Sequence, residues 1–197
     1  MPIASDNKKT ELARAARDLL ITDGLGGFSM RKVAGACDVS ATAIYRHFED
    51  KDALLASAVI EGFRIFGSYL MDALEEKTPA ARFRKMARRY FAFALENSED
   101  YRLIFMTNCE QLGLHKLDEV SEREAGGTFQ LLQDRIFECQ ATGLFIDGDP
   151  RTIAASVWAS VHGLSSLFLT GNLGTNEDET NKLIEAHIHH IELGLLK

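Results

Sequence analysis

Thr42, Ala43, Tyr45, Arg46 and His47 fall within a few consecutive positions, and Lys51 follows one helical turn later. Their chemistry suits a nucleic-acid groove. Thr42 carries a hydroxyl for a base edge, and its methyl or that of Ala43 can meet a thymine methyl. Tyr45 and His47 offer donors to phosphate oxygens, Arg46 brings charge, and Lys51 stands where the next helix would begin beside a DNA backbone. Ser29, upstream, adds a hydroxyl and unpaired backbone N–H groups that favour an anion, with Arg31, Lys32 and the hydroxyl of Ser40 close by. The plain alternative is a solvated surface helix. An exposed tyrosine beside Arg and His, on a helix too short to be stable alone, argues against it.

Local patterns show which elements must hold these residues. Leu12, Ala16, Leu19 and Leu20 form one helical face, closed by the glycines from Gly24 to Gly27. Ser29 is placed to cap a second helix whose inner face is Met30, Val33, Ala34 and Cys37. Asp38 and Val39 turn the chain, Ser40 caps a third helix, and Ala41, Ile44 and Phe48 face inward. Asp50 then caps a fourth helix expected over about 51–76. Further helices are expected over about 80–97, 100–108, 117–142, 150–170 and 178–196, giving about nine in all. Asp149-Pro150 is a helix start and Gly171-Asn172 a stop. Without alternating strand patterns or repeats, the fold class is all-α, with a helix-turn-helix in the first third.

The chain of 197 residues, 46% hydrophobic, is long enough to bury a core. The net charge of −7 disfavours a general DNA coat protein, yet the charge is uneven. Up to Leu55, eight basic residues cancel eight acidic ones, so the excess of negative charge lies beyond. Cys37, Cys109 and Cys139 are odd in number, far apart and outside metal-ligand spacing, which suits reduced thiols. The polar start, MPIASDNKKTE, lacks the apolar run of a secretory signal, so the expected location is cytoplasmic. Thr152 to Asn176 contains no charged residue and is long enough to span a bilayer. Its serines, alanines, His162 and Gly163 suit close packing against another helix instead, and no membrane association is expected.

Taken together, helix one, Gly24, the Ser29 cap, Val33-Ala34, Val39-Ser40, Ile44 to Phe48, and Lys51 through Leu54-Leu55 closely resemble the amino-terminal domain of the TetR (tetracycline-repressor) family. The resemblance covers roughly residues 8–55. It implies a bacterial transcription regulator with a three-helix DNA-binding domain over 1–55 and a larger helical effector-binding and dimerising domain over 56–197. It also marks Ser29, Thr42, Ala43, Tyr45, His47 and Lys51 as DNA contacts. Asp38 stands where the family commonly has glycine; Asp is among the residues that best tolerate a left-handed backbone. Trp158, His162 and Gly163 resemble the Trp-His-Gly signature of one group of carboxy-terminal domains. By that resemblance the last two helices pair with their copies in a four-helix dimer contact.

Phe63, Phe66, Tyr69, Phe91, Tyr101, Phe105, Phe129, Trp158 and His162 are candidates to line an apolar effector pocket, with plain core as the alternative for each. Arg82, Arg84, Lys85, Arg88 and Arg89 read as a solvated face or as partners of the acidic surface. His187 and His190 share a helix face without a fixed acidic or cysteine partner, so neither metal nor cofactor is expected. The expected protein is a homodimer that binds a double-stranded, near-palindromic operator, acts as a repressor, and is released by a small, largely apolar effector. Two alternatives are an architectural DNA-binding protein without effector, and an enzyme; for the latter no catalytic constellation or phosphate-cradling glycine loop stands out.

Overall fold

The computed structural model describes residues 3–108 and 110–197, so Cys109 lies outside the described residues. Among these the chain is all-helical, with nine α-helices and no strand apart from one isolated bridge between Phe145 and Leu196. The helices are α1 Ile3–Gly27, α2 Met30–Ala36, α3 Ala41–Ile44, α4 Lys51–Met71, α5 Pro79–Glu96, α6 Ser98–Phe105, α7 Glu119–Ala141, α8 Pro150–Leu169 and α9 Glu177–Leu195.

Most boundaries have the expected chemical cause. Gly24 interrupts α1 with φ 64°, a conformation in which glycine carries no Cβ penalty. Asp149 accepts the N–H groups of Arg151 and Thr152, with Pro150 at the first helical position. Asn176 and Glu179 form a reciprocal capping box on α9. Several boundaries differ from the sequence expectation: α6 spans Ser98–Phe105 rather than about 100–108, and two others change character. The third helix is α-helical for only four residues before it tightens, and the fourth stops at Met71 and finishes as a 3-10 turn over Asp72–Glu75. Short i→i−3 bonds satisfy the carbonyls that a helix end leaves open.

The chain divides into two compact units, Met1–Ile65 with Glu99–Ala125, and Phe66–Ser98 with Gly126–Lys197. In the first, Leu12, Ala16, Leu20, Phe28, Val33, Ala34, Ile44, Phe48, Leu54 and Leu55 are buried. In the second, Phe83, Ile136, Cys139, Phe145, Ala154 and Val157 form one cluster, with Phe83 and Phe145 edge to face at 5.1 Å. The basic run of α5 is ion-paired: Arg82 with Glu138, Arg84 with Glu192, Lys85 with Glu75, Arg88 with Glu185 and Arg89 with Asp72.

Candidate nucleic-acid interface

The turn between α2 and α3 is built by local hydrogen bonds. Val39 N–H reaches Ala34 O at 3.0 Å and Asp38 N–H points to Gly35 O at 3.4 Å, the paired bonds of a Schellman motif. The motif requires a left-handed residue, and Asp38 fills it with φ 54°, the one non-glycine residue at positive φ among those described. Ser40 then caps α3 by accepting the N–H of Ala43 at 3.2 Å, as Ser29 caps α2 through Lys32 N–H at 3.3 Å. Ile44 and Phe48 are buried and hold this segment on the core.

That anchoring leaves the polar side chains outward. Tyr45 is 54% exposed, with its ring and hydroxyl open to a partner. Thr42 and Arg46 are exposed, while Ala43 and His47 are half-buried. Within the described residues, Arg31, Thr42, Tyr45, Arg46 and His47 make no side-chain hydrogen bond or ion pair. Several other cations of this unit are already engaged. Lys8 pairs with Glu11, Arg14 with Glu61 and Arg17 with Asp100. Lys32, a sequence candidate, donates to Asp23 at 2.7 Å and to Gly27 O at 2.9 Å, and that bond holds the Asp23 carboxyl below its ordinary range. Lys51 lies 5.4 Å from the centre of the Phe28 ring, which fixes its ammonium at the start of α4.

Asp50 caps α4 by accepting Ala53 N–H at 2.8 Å. It also pairs at 3.2 Å with Lys116, a residue from the segment between α6 and α7 that local periodicity did not single out.

The aromatic candidates separate into groups. In the first unit Phe63 and Tyr101 both pack edge-on against Phe105, at 5.9 and 5.1 Å. In the second, Phe66 packs on Tyr90 and Phe93, Phe91 on Tyr90 and His187, and Phe129 on Trp158. Tyr69 also packs edge-on against Phe93, at 5.6 Å, and its hydroxyl donates to Glu96 at 2.6 Å. Trp158 Nε1 donates to Tyr90 OH at 3.2 Å, and that hydroxyl lies 3.5 Å from His162 Nδ1. Burial lowers the pKa of His162 and favours its neutral form.

Comparison with known proteins gives a consistent answer. Residues 12–58 match the model of bacterial regulatory proteins of the tetR family, and residues 83–191 match the tetracyclin repressor-like C-terminal domain. An HTH-type transcriptional regulator of Haemophilus influenzae, itself uncharacterized, is 33% identical over 94 residues; the match spans 45% of this chain and half the length of that relative. A protein of unknown function from Rhodococcus sp. RHA1 has a TM-score of 0.80 and 27% identity, covering 96% of this chain and 95% of its own. A TetR-family transcriptional regulator from Pectobacterium atrosepticum superposes with a TM-score of 0.69 at 22% identity, covering 100% and 97%. With its carboxy-terminal match alone spanning more than half of the sequence, the chain belongs to the TetR family. It is a DNA-binding transcription regulator, not an enzyme.

Proposed function

We propose that two copies of this chain bind a near-palindromic operator, each through the segment from Ser29 to Lys51, and repress transcription until a small, largely apolar effector binds. The observation that carries this reading is the row of unpaired donors, Thr42, Tyr45, Arg46 and His47, directly after a helix-turn-helix corner locked by Asp38 and Ser40. A helix of this kind enters a major groove with its first residues at base edges and its flanks on phosphates. Arg31 adds a free cation, and Ser29 and Lys51 stand at helix starts on either side.

Pairing of two chains is supported by α8 and α9. Pro150–Leu169 is long and apolar enough to cross a membrane, as is Lys51–Glu75, but the two differ in burial. More than half of the apolar window of Lys51–Glu75 is packed inside the protein, against 22% for Pro150–Leu169. Leu167, Leu183 and Leu193 are left exposed on α8 and α9. A second copy laid against these helices accounts for that exposure in a soluble, cytoplasmic protein.

The effector is assigned to the second compact unit, with Phe66, Phe91, Phe129, Trp158 and His162 as its candidate contacts; Phe63, Tyr101 and Phe105 form a separate aromatic group in the first unit. The Trp158–Tyr90–His162 chain supplies a polar anchor within that apolar lining. Release from DNA requires the effector to bind the released form more tightly than the operator-bound form.

Selection of bound duplexes from a random pool by the purified protein, at near-physiological salt, tests the reading. An enriched inverted repeat is the expected outcome. Failure to enrich any sequence at any salt overturns it.

A further inference from the structure

The first compact unit takes in α4 only as far as Ile65 and resumes at Glu99: residues 99–125 cluster with residues 1–65. That segment grips the DNA-binding elements at several points. Asp100, 3% exposed, receives both Nε and Nη2 of Arg17 from α1. Glu124 takes Arg64 Nη2 at 2.9 Å, and the same guanidinium holds the buried Glu61, which also accepts from Arg14 of α1. Gly62 lets α6 approach α4, because a Cβ there would lie 2.7 Å from Ile104 Cγ2.

The closest grip is at the start of α4. Gly113, at φ 69°, presses its backbone on Asp52 so tightly that a Cβ would lie 2.4 Å from the Asp52 carbonyl oxygen. The 3-10 turn Leu114–Lys116 follows, and Lys116 Nζ reaches Asp50. This places a cation against the acidic trio Glu49, Asp50 and Asp52, which surrounds Lys51 in sequence. Unopposed, that trio would repel the phosphates that Lys51 is placed to meet.

We propose that residues 99–125 complete the DNA-binding head, and that Lys116 is a positioning residue that acts through Asp50. It neutralises the acidic first turn of α4 and holds it in place for phosphate contact by Lys51. The proposal rests on the operator-binding reading above. It assigns to the head a residue remote in sequence from the helix-turn-helix.

The ion pair is partly exposed, with side chains 37% and 40% accessible, so its loss should leave overall stability nearly unchanged. The test is a double-mutant cycle on the selected duplex with the full-length chain. Lys116→Gln is expected to weaken binding about fivefold, the order for one uncompensated carboxylate per head facing a polyanion. Lys116→Arg is expected to restore it, and the melting temperature should not move. In an Asp50→Asn background, Lys116→Gln should cost less than about twofold, because the carboxylate it pairs with is gone and only the more distant Glu49 and Asp52 remain. Equal losses in both backgrounds would mean that Lys116 touches DNA directly, and would overturn the positioning role. Unaltered binding by Lys116→Gln would also overturn it. A wild-type protein that selects no duplex would instead overturn the reading of the protein as an operator binder, and this inference with it.

Discussion

Asp38 offers a perturbation in which backbone strain and charge separate. It sits at φ 54° in the turn before α3, carrying a carboxylate beside the side chains assigned to DNA. A left-handed non-glycine residue costs about 1–2 kcal/mol, with Asp at the low end, and glycine returns about 0.5 kcal/mol of that through its greater unfolded freedom. Asp38→Gly is therefore expected to gain about 0.5 kcal/mol, or about 1–2 °C in a chain of this size. Asp38→Asn keeps the tolerance of the left-handed region and removes only the charge, so its melting temperature should stay within about 1 °C of wild type. On DNA the two variants should behave alike. A carboxylate about 8 Å from a phosphate is repelled by about 0.5 kcal/mol in water, and by about 0.2 kcal/mol after one Debye length of screening. Over several phosphates and two heads this sums to about 1 kcal/mol, or about fivefold tighter binding at roughly physiological salt for either variant. Calorimetry for stability and a titration of the selected duplex at several salt concentrations provide the assay. Binding no tighter than wild type in both variants would place the carboxylate away from the DNA. A fall in melting temperature for Asp38→Gly would refute the strain argument.

Other expectations follow from contacts elsewhere. Gly113→Ala combines a left-handed φ with a Cβ driven into the Asp52 carbonyl. The expected loss is about 2–4 kcal/mol, and a melting temperature lowered by less than about 2 °C would contradict the packing. Burial holds His162 and His187 below their ordinary pKa, so the folded state resists protonating them. Because the unfolded chain then binds more protons, their contribution is intact above pH about 6.5 and declines as the pH falls through that value toward the lower folded pKa. A melting temperature that decreases from neutral pH toward pH about 5.5, with a shallower slope in His162→Gln, is the expected profile. A slope identical to wild type would remove His162 from the account. Burial pushes the Cys139 thiol up to about 11, so native protein at mildly alkaline pH should escape alkylation there. An adduct on Cys139 before unfolding, seen by mass spectrometry, would be inconsistent with this burial.

Much of the fold was readable because its signals are local. The caps at Ser29, Ser40, Asp50 and Asp149, the left-handed Asp38 and the inner faces of α1 to α3 all act within one helical turn, and each appears where its chemistry requires. The tightening of the third helix was less legible. Its carbonyls choose between i→i−4 and i→i−3 bonds by small energies that no single residue type reveals. Long-range pairing was not readable at all. Arg17 meets Asp100 and Asp50 meets Lys116 across sequence separations that leave no periodic trace. Within the candidate site, exposure agrees with the sequence reading for Thr42, Tyr45 and Arg46. For Lys32 the structure adds a competing partner, Asp23, which α1 presents to it only once the corner between α1 and α2 has formed.

The most direct measurement compares the affinity of wild type and Tyr45→Ala for the selected duplex and for a scrambled duplex of the same composition, at one near-physiological salt concentration. Tyr45 is 54% exposed and makes no side-chain hydrogen bond among the described residues, so its removal should leave the fold intact. Wild type is predicted to prefer the selected duplex by about 10³-fold or more, and Tyr45→Ala to lose at least about tenfold of that preference with an unchanged melting temperature. Equal binding of wild type to both duplexes, or a variant as selective as wild type, would contradict the assignment of this face to operator recognition.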